Sequence, residues 1–189
     1  VDHSKESLLV ECGRILRRPE VEEVPPYLGE FTVEVTGEVE EYVARLRSLL
    51  SSAVELGATN DFEDDEVPVD DVPGWFLSVS KGGSGDIPEF ARLGSDEFQR
   101  LPGSGVWSAQ NWLFRFDPED DSRGWEWWDL TRSGPSRVAV WVDCQAEDFF
   151  GCQELRWALY VAGGSKVDGP NLRRSDAWRT SVSHDSGQA

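Results

Sequence analysis

Imidazole is the commonest general base, and this chain has two histidines, His3 and His184, one near each end. A Ser/His/Asp or Cys/His arrangement therefore requires a terminus folded back into an active site, and none is expected. Cys12, Cys144 and Cys152 contain no Cys-x-x-Cys pair, and no His/Cys cluster has zinc-ligand spacing. The zinc-protease and Walker A signatures are absent. No catalytic residue, no metal site and no cofactor is assigned.

Lys81-Gly82-Gly83-Ser84-Gly85 offers backbone N–H groups that can cradle an anion, but its spacing matches neither the P-loop nor the dinucleotide fingerprint. It reads as a flexible turn. Carboxylates are abundant and a glycosidase needs only two, yet no pair is marked out by spacing. Asp117, Glu119 and Asp121 look like the start of a calcium loop. Ser122, however, stands where that loop needs glycine, and Trp128 where it needs glutamate. An acidic hairpin loop is the simpler reading.

Beside that loop stand Trp125, Trp127 and Trp128. Side chains alternate along a strand, so Trp127 and Trp128 must point to opposite faces. Either both faces are covered, or one tryptophan lies outside the core as an anchor in an acidic field. On the second reading the candidate binding residues are Asp117, Glu119, Asp120, Asp121, Trp125 and Trp128.

Thirty-six acidic residues against 18 basic ones leave a formal charge of −18. Phosphate affinity comes from clustered Lys and Arg, so a nucleic-acid partner is not expected, nor is docking on anionic lipid. No apolar run approaches the roughly 20 residues of a membrane helix, and no signal-peptide core is visible at the start. An odd number of unpaired cysteines fits reduced structural thiols and hence the cytoplasm. Nine Trp and nine Phe imply a packed core rather than a disordered acidic chain.

The first expectation for function is a non-catalytic acidic protein that masks a basic protein partner, such as an immunity protein or inhibitor of a nuclease-type toxin. The second is a carboxylate-based carbohydrate hydrolase or sugar-binding domain with Trp platforms. The third is a scaffold or assembly domain whose charge keeps it in solution. Oligomeric state is not set by the sequence.

The elements that position these residues follow from periodicity. Leu8, Leu9, Cys12, Ile15 and Leu16 share one helical face over residues 4–18, stopped by Pro19. Phe31, Val33 and Val35 alternate as a strand. Residues 38–56 form a second amphipathic helix, with Thr36 as candidate N-cap and Gly57 as candidate stop. Residues 60–71 read as a solvated acidic loop. Trp75, Leu77 and Val79 alternate as a strand, and residues 88–101 as short helical turns broken at Gly94. Three runs, around 112–116, 125–128 and 138–142, read as an antiparallel meander. Phe149–Ala162 fits either period, with a buried helix favoured by its length. The fold class is α+β: a mostly antiparallel sheet of four or five strands with amphipathic helices packed on one face. Residues 1–164 are read as one domain and 165–189 as a polar, mobile tail.

Overall fold

A computed structural model of the chain describes residues 3–63, 66–120 and 122–185. Four strands, β1 (Tyr27–Val35), β2 (Glu126–Gly134), β3 (Arg137–Asp143) and β4 (Gly164–Arg174), form one antiparallel sheet in the order β2-β3-β1-β4. Among the described residues seven α-helices surround it: α1 (Lys5–Leu16), α2 (Val39–Thr59), α3 (Gly74–Val79), α4 (Glu89–Gln99), α5 (Ala109–Leu113), α6 (Gln153–Val161) and α7 (Ser175–Asp185). The class is α+β, with four strands rather than five.

The two long periodic segments are helices. Ser4 caps α1, its side chain accepting from the Ser7 N–H. Along α2, Tyr42, Leu46, Leu49, Leu50, Ala53 and Val54 are buried. Its N-cap is Glu38 rather than Thr36, and the helix runs through Gly57 to Thr59. Gly57 is not a stop but a contact: a Cβ there would lie 2.3 Å from the Phe116 carbonyl oxygen. Gly94 plays the same part in an unbroken α4, where a Cβ would meet the Tyr160 carbonyl at 1.8 Å.

Two expected strands are helical. In α3 the deeply buried apolar residues are Phe76 and Val79, three apart, and not the alternating set Trp75, Leu77 and Val79. In the second case Trp112, Leu113 and Phe116 are buried at i, i+1 and i+4, and Ser108 caps α5 by accepting from the Asn111 N–H. Short apolar runs satisfy both periods; Ser108 caps α5, whereas α3 follows Pro73 without a side-chain cap. The meander is thus a single hairpin, β2–β3. The 149–162 segment resolves into a loop followed by α6, as its length favours.

The described acids of residues 60–71 are exposed, as a solvated acidic loop requires. The loop is pinned at Val67, which is buried and whose N–H and carbonyl both bond the Gln110 side chain, at 2.9 and 3.0 Å.

Residues 164–185 form a strand and a helix rather than a tail, and residues 186–189 lie outside the described residues. β4 pairs with β1 from Val35↔Gly164 to Tyr27↔Arg174 as an edge strand. Of its side chains only Val167 is buried, so it is held by backbone hydrogen bonds and shows no apolar alternation. α7 then crosses the far face of the sheet. The main core, with Phe31, Val33, Val138, Val140, Trp127 and most helices, fills one face. Leu28, Trp128, Ala139, Trp141 and Trp178 make a smaller core on the other. Helices therefore cover both faces, where one was expected.

Candidate functional site

The structure separates the six candidate binding residues. Trp125 is fully buried, with its indole N–H donating to Glu154 and its ring facing the Phe116 edge at 6.3 Å. Trp128 is buried in the smaller core, opposite in face to Trp127. A bulge between Trp127 and Asp129 puts both Trp128 and Asp129 toward α7. Neither tryptophan is a surface anchor: Trp125 lies in the main core, and α7 covers Trp128 on the face that alternation alone leaves open.

The acids do stand at the surface, though not equivalently. Glu119 is exposed, while Asp117 and Asp120 are half-buried and hold the loop together. Asp117 accepts from the Glu119 N–H at 2.9 Å, and Asp120 from the N–H and hydroxyl of Ser122 at 2.9 and 2.8 Å. Arg115 lies 3.5 Å from Asp120 and partly offsets it. Asp121 falls outside the described residues. Asp61 and Glu63 of the acidic connector line a cleft of about 250 Å³ together with Asp117 and Glu119. Two acidic segments more than 50 residues apart thus share one rim, and an edge-on contact of Phe62 with Phe114 at 5.5 Å helps to fix the connector there.

The feature that periodicity misses is Phe149. It lies in the loop between β3 and α6 and is 92% exposed. Glu147 and Asp148 precede it, both exposed. Its neighbour Phe150 turns inward, edge-on to Phe31 at 6.5 Å. Gln145 and Ala146 earlier in the loop take φ of 51° and 63°, a conformation that side chains other than glycine rarely adopt. The Gly124 N–H donates to the Gly151 carbonyl at 3.2 Å, so this loop abuts the end of the acidic loop. The sequence does carry a signal, the Glu-Asp-Phe-Phe run, but an apolar pair at the edge of a periodic segment reads as core.

Buried ionisable groups are numerous. Arg123, almost wholly buried, forms a two-point ion pair with Glu11 at 2.9 and 3.0 Å and lies over the rings of Phe116 and Trp125. Glu11 also accepts from the Trp127 N–H at 2.6 Å. His3 belongs to this cluster rather than to a frayed end: its Nδ1 lies 3.0 Å from Arg123 Nη2 and its Nε2 2.6 Å from the Arg123 carbonyl. Burial, reinforced by the Arg123 charge, pushes His3 down to about 4. It is neutral near pH 7, and its ring nitrogens are occupied within the core. Burial also raises the Glu126, Asp129 and Glu154 carboxyls. Each is tied to a named donor: Arg14 for Glu126, Arg18 and Trp178 for Asp129, Trp125 for Glu154. These groups join core elements.

Cys12, Cys144 and Cys152 are unbridged, and burial pushes the Cys12 thiol up to about 11 and raises the other two. Among the described residues no group of three or more His, Cys, Asp or Glu could hold a metal ion, and no helix is long and apolar enough to cross a membrane.

Seven of the tryptophans are buried, and Trp75 and Trp107 are half-buried. Trp107 borders a cleft of about 640 Å³ beside Lys81, Asn111 and Gln153, and no carboxylate lines it. Arg115 lies 5.5 Å from the Trp107 ring. Comparison with protein-family models, with curated proteins and with solved structures finds no match.

Proposed function

We propose that this chain is a non-catalytic acidic binding protein that masks a basic protein partner, of the kind represented by immunity proteins and inhibitors of nuclease-type toxins. The observation that carries the reading is Phe149, 92% exposed and directly preceded by the exposed Glu147 and Asp148. An aromatic ring held in water is unfavourable unless something covers it, and buried aromatics dominate binding energy at interfaces. A rim of one charge sign around such an anchor steers an oppositely charged partner and selects against others. In the neighbouring loop Glu119 and Glu63 add acidic surface, while Asp61 in the same cleft is paired with Lys5 at 2.7 Å. A nuclease cleft is basic because it holds phosphates, so it is the natural complement.

The carbohydrate reading has less support. It needs an exposed Trp platform beside paired carboxylates, and the cleft at Trp107 has no acid in its lining.

The test places a photo-cross-linking benzoylphenylalanine at position 149 and irradiates cells that produce the protein. The expected product is a cross-link to one basic protein, whose activity on nucleic acid falls when the unmodified chain is added. Cross-links confined to neutral or acidic proteins, or none, contradict the proposal.

A further inference from the structure

A further cavity, of about 560 Å³, opens between the outer side of α2, the middle of β2 and the ends of α1 and α7. Its volume falls in the range of small-molecule sites. Val39 and Leu130, both buried, contribute an apolar lining with the half-buried Val43. In a chain with a formal charge of −18, three arginines line it, Arg18, Arg47 and Arg132, of which Arg47 also borders the adjacent cavity beside residues 68–72.

Two of them are already used. Arg18 donates to Asp129 at 2.8 Å and to Asp185 at 2.7 Å, and Arg132 pairs with Glu40. Arg47 has no ion-pair or hydrogen-bond partner among the described residues, and its Nε is buried without an acceptor. A buried donor on a cation carries a desolvation cost that a bound acceptor relieves. Arg18 faces both Asp129 and Asp185 and Arg132 faces Glu40, so Arg47 is the one lining cation without a carboxylate partner among the described residues. Its single charge suits one carboxylate rather than a phosphate dianion.

We infer that this cavity binds a monocarboxylate with an apolar body, its carboxylate paired with the Arg47 guanidinium and its chain lying on Val39, Val43 and Leu130. The planar fork of arginine suits a carboxylate, and the apolar wall rewards an acyl or aryl group over a small hydrophilic acid. This site is independent of the Phe149 surface.

Octanoate is the probe, followed by isothermal titration and by the Arg47 Nε–H resonance in a nitrogen-correlated spectrum of the full chain. Octanoate should saturate one site and shift that resonance. 1-Octanol, which lacks the charge, and inorganic phosphate, which lacks the chain, should each bind roughly tenfold or more weakly. Arg47→Gln should weaken octanoate by a similar factor. Ala44→Glu, at an exposed position in the cavity lining, should do the same by repelling the carboxylate, and serves if Arg47→Gln fails to fold. The inference is overturned if octanoate does not bind at millimolar concentration. Octanol binding as well as octanoate, phosphate binding as well as octanoate, or unaltered octanoate binding in the folded variants would overturn it equally.

Discussion

Trp178 lies edge-on to Trp128, with ring centroids 5.8 Å apart and planes at 79°, and its indole N–H donates to Asp129 at 2.9 Å. One helix side chain thereby covers a sheet-face tryptophan and occupies a buried carboxylate. Arg18, from the end of α1, bonds the same carboxylate oxygen. The last helix and the first are thus joined across the β2 strand.

Trp178→Ala should therefore act as a core truncation, costing about 3–5 kcal/mol in urea unfolding. It should also raise solvent quenching of Trp128 fluorescence. A loss below about 1 kcal/mol would show that α7 contributes little cover.

The same contact shows why part of the fold was legible from sequence and part was not. Helices α1 and α2 and most of strand β1 bury one face each, so period and burial agree, and β3, buried on both faces, reads as a short continuous apolar run. β4 is an edge strand whose pairing is carried by backbone groups, which no side-chain pattern encodes. Without β4 there is no path for α7, and without α7 Trp128 stands open to solvent. The tail reading and the surface-anchor alternative for Trp128 therefore fail together, and the alternative in which both sheet faces are covered holds. Phe149 was hidden for the opposite reason: it is apolar in type and lies beside a buried helix, and only the loop before α6 turns it outward.

The Arg123–Glu11 pair should be costly to break from one side. Glu11→Gln leaves a buried guanidinium short of charge compensation and weakens the bond from the Trp127 N–H. A loss of about 3–5 kcal/mol is expected, partly recovered when Arg123→Met is added. Additive losses in the double variant would mean that the two residues act separately.

His3 predicts a pH dependence of definite sign. Its folded value of about 4 lies below the unfolded 6.5, so between these values the unfolded chain binds a proton that the folded chain refuses. Stability from this residue is full above about pH 6.5 and is lost as pH falls toward 4. The contribution is on the order of 2 kcal/mol. The raised carboxyls of Glu126, Asp129 and Glu154 act in the opposite direction but are common to wild type and His3→Gln. The stability advantage of wild type over His3→Gln should shrink on acidification from about pH 7 to about pH 4.5. A constant or growing difference would contradict a neutral, buried His3.

In the proposed function acids steer and Phe149 anchors, and rapid-mixing kinetics with the cross-linked basic partner separate the two. The wild-type association rate should fall steeply with added salt, since the screening length is only about 8 Å at physiological ionic strength. Neutralising the exposed Glu119, Glu147 and Asp148 to Gln and Asn should lower that rate and flatten its salt dependence. Phe149→Ala should leave association nearly unchanged and speed dissociation roughly tenfold or more. Association indifferent to salt and to these acids, with dissociation unaltered by Phe149→Ala, would contradict the account.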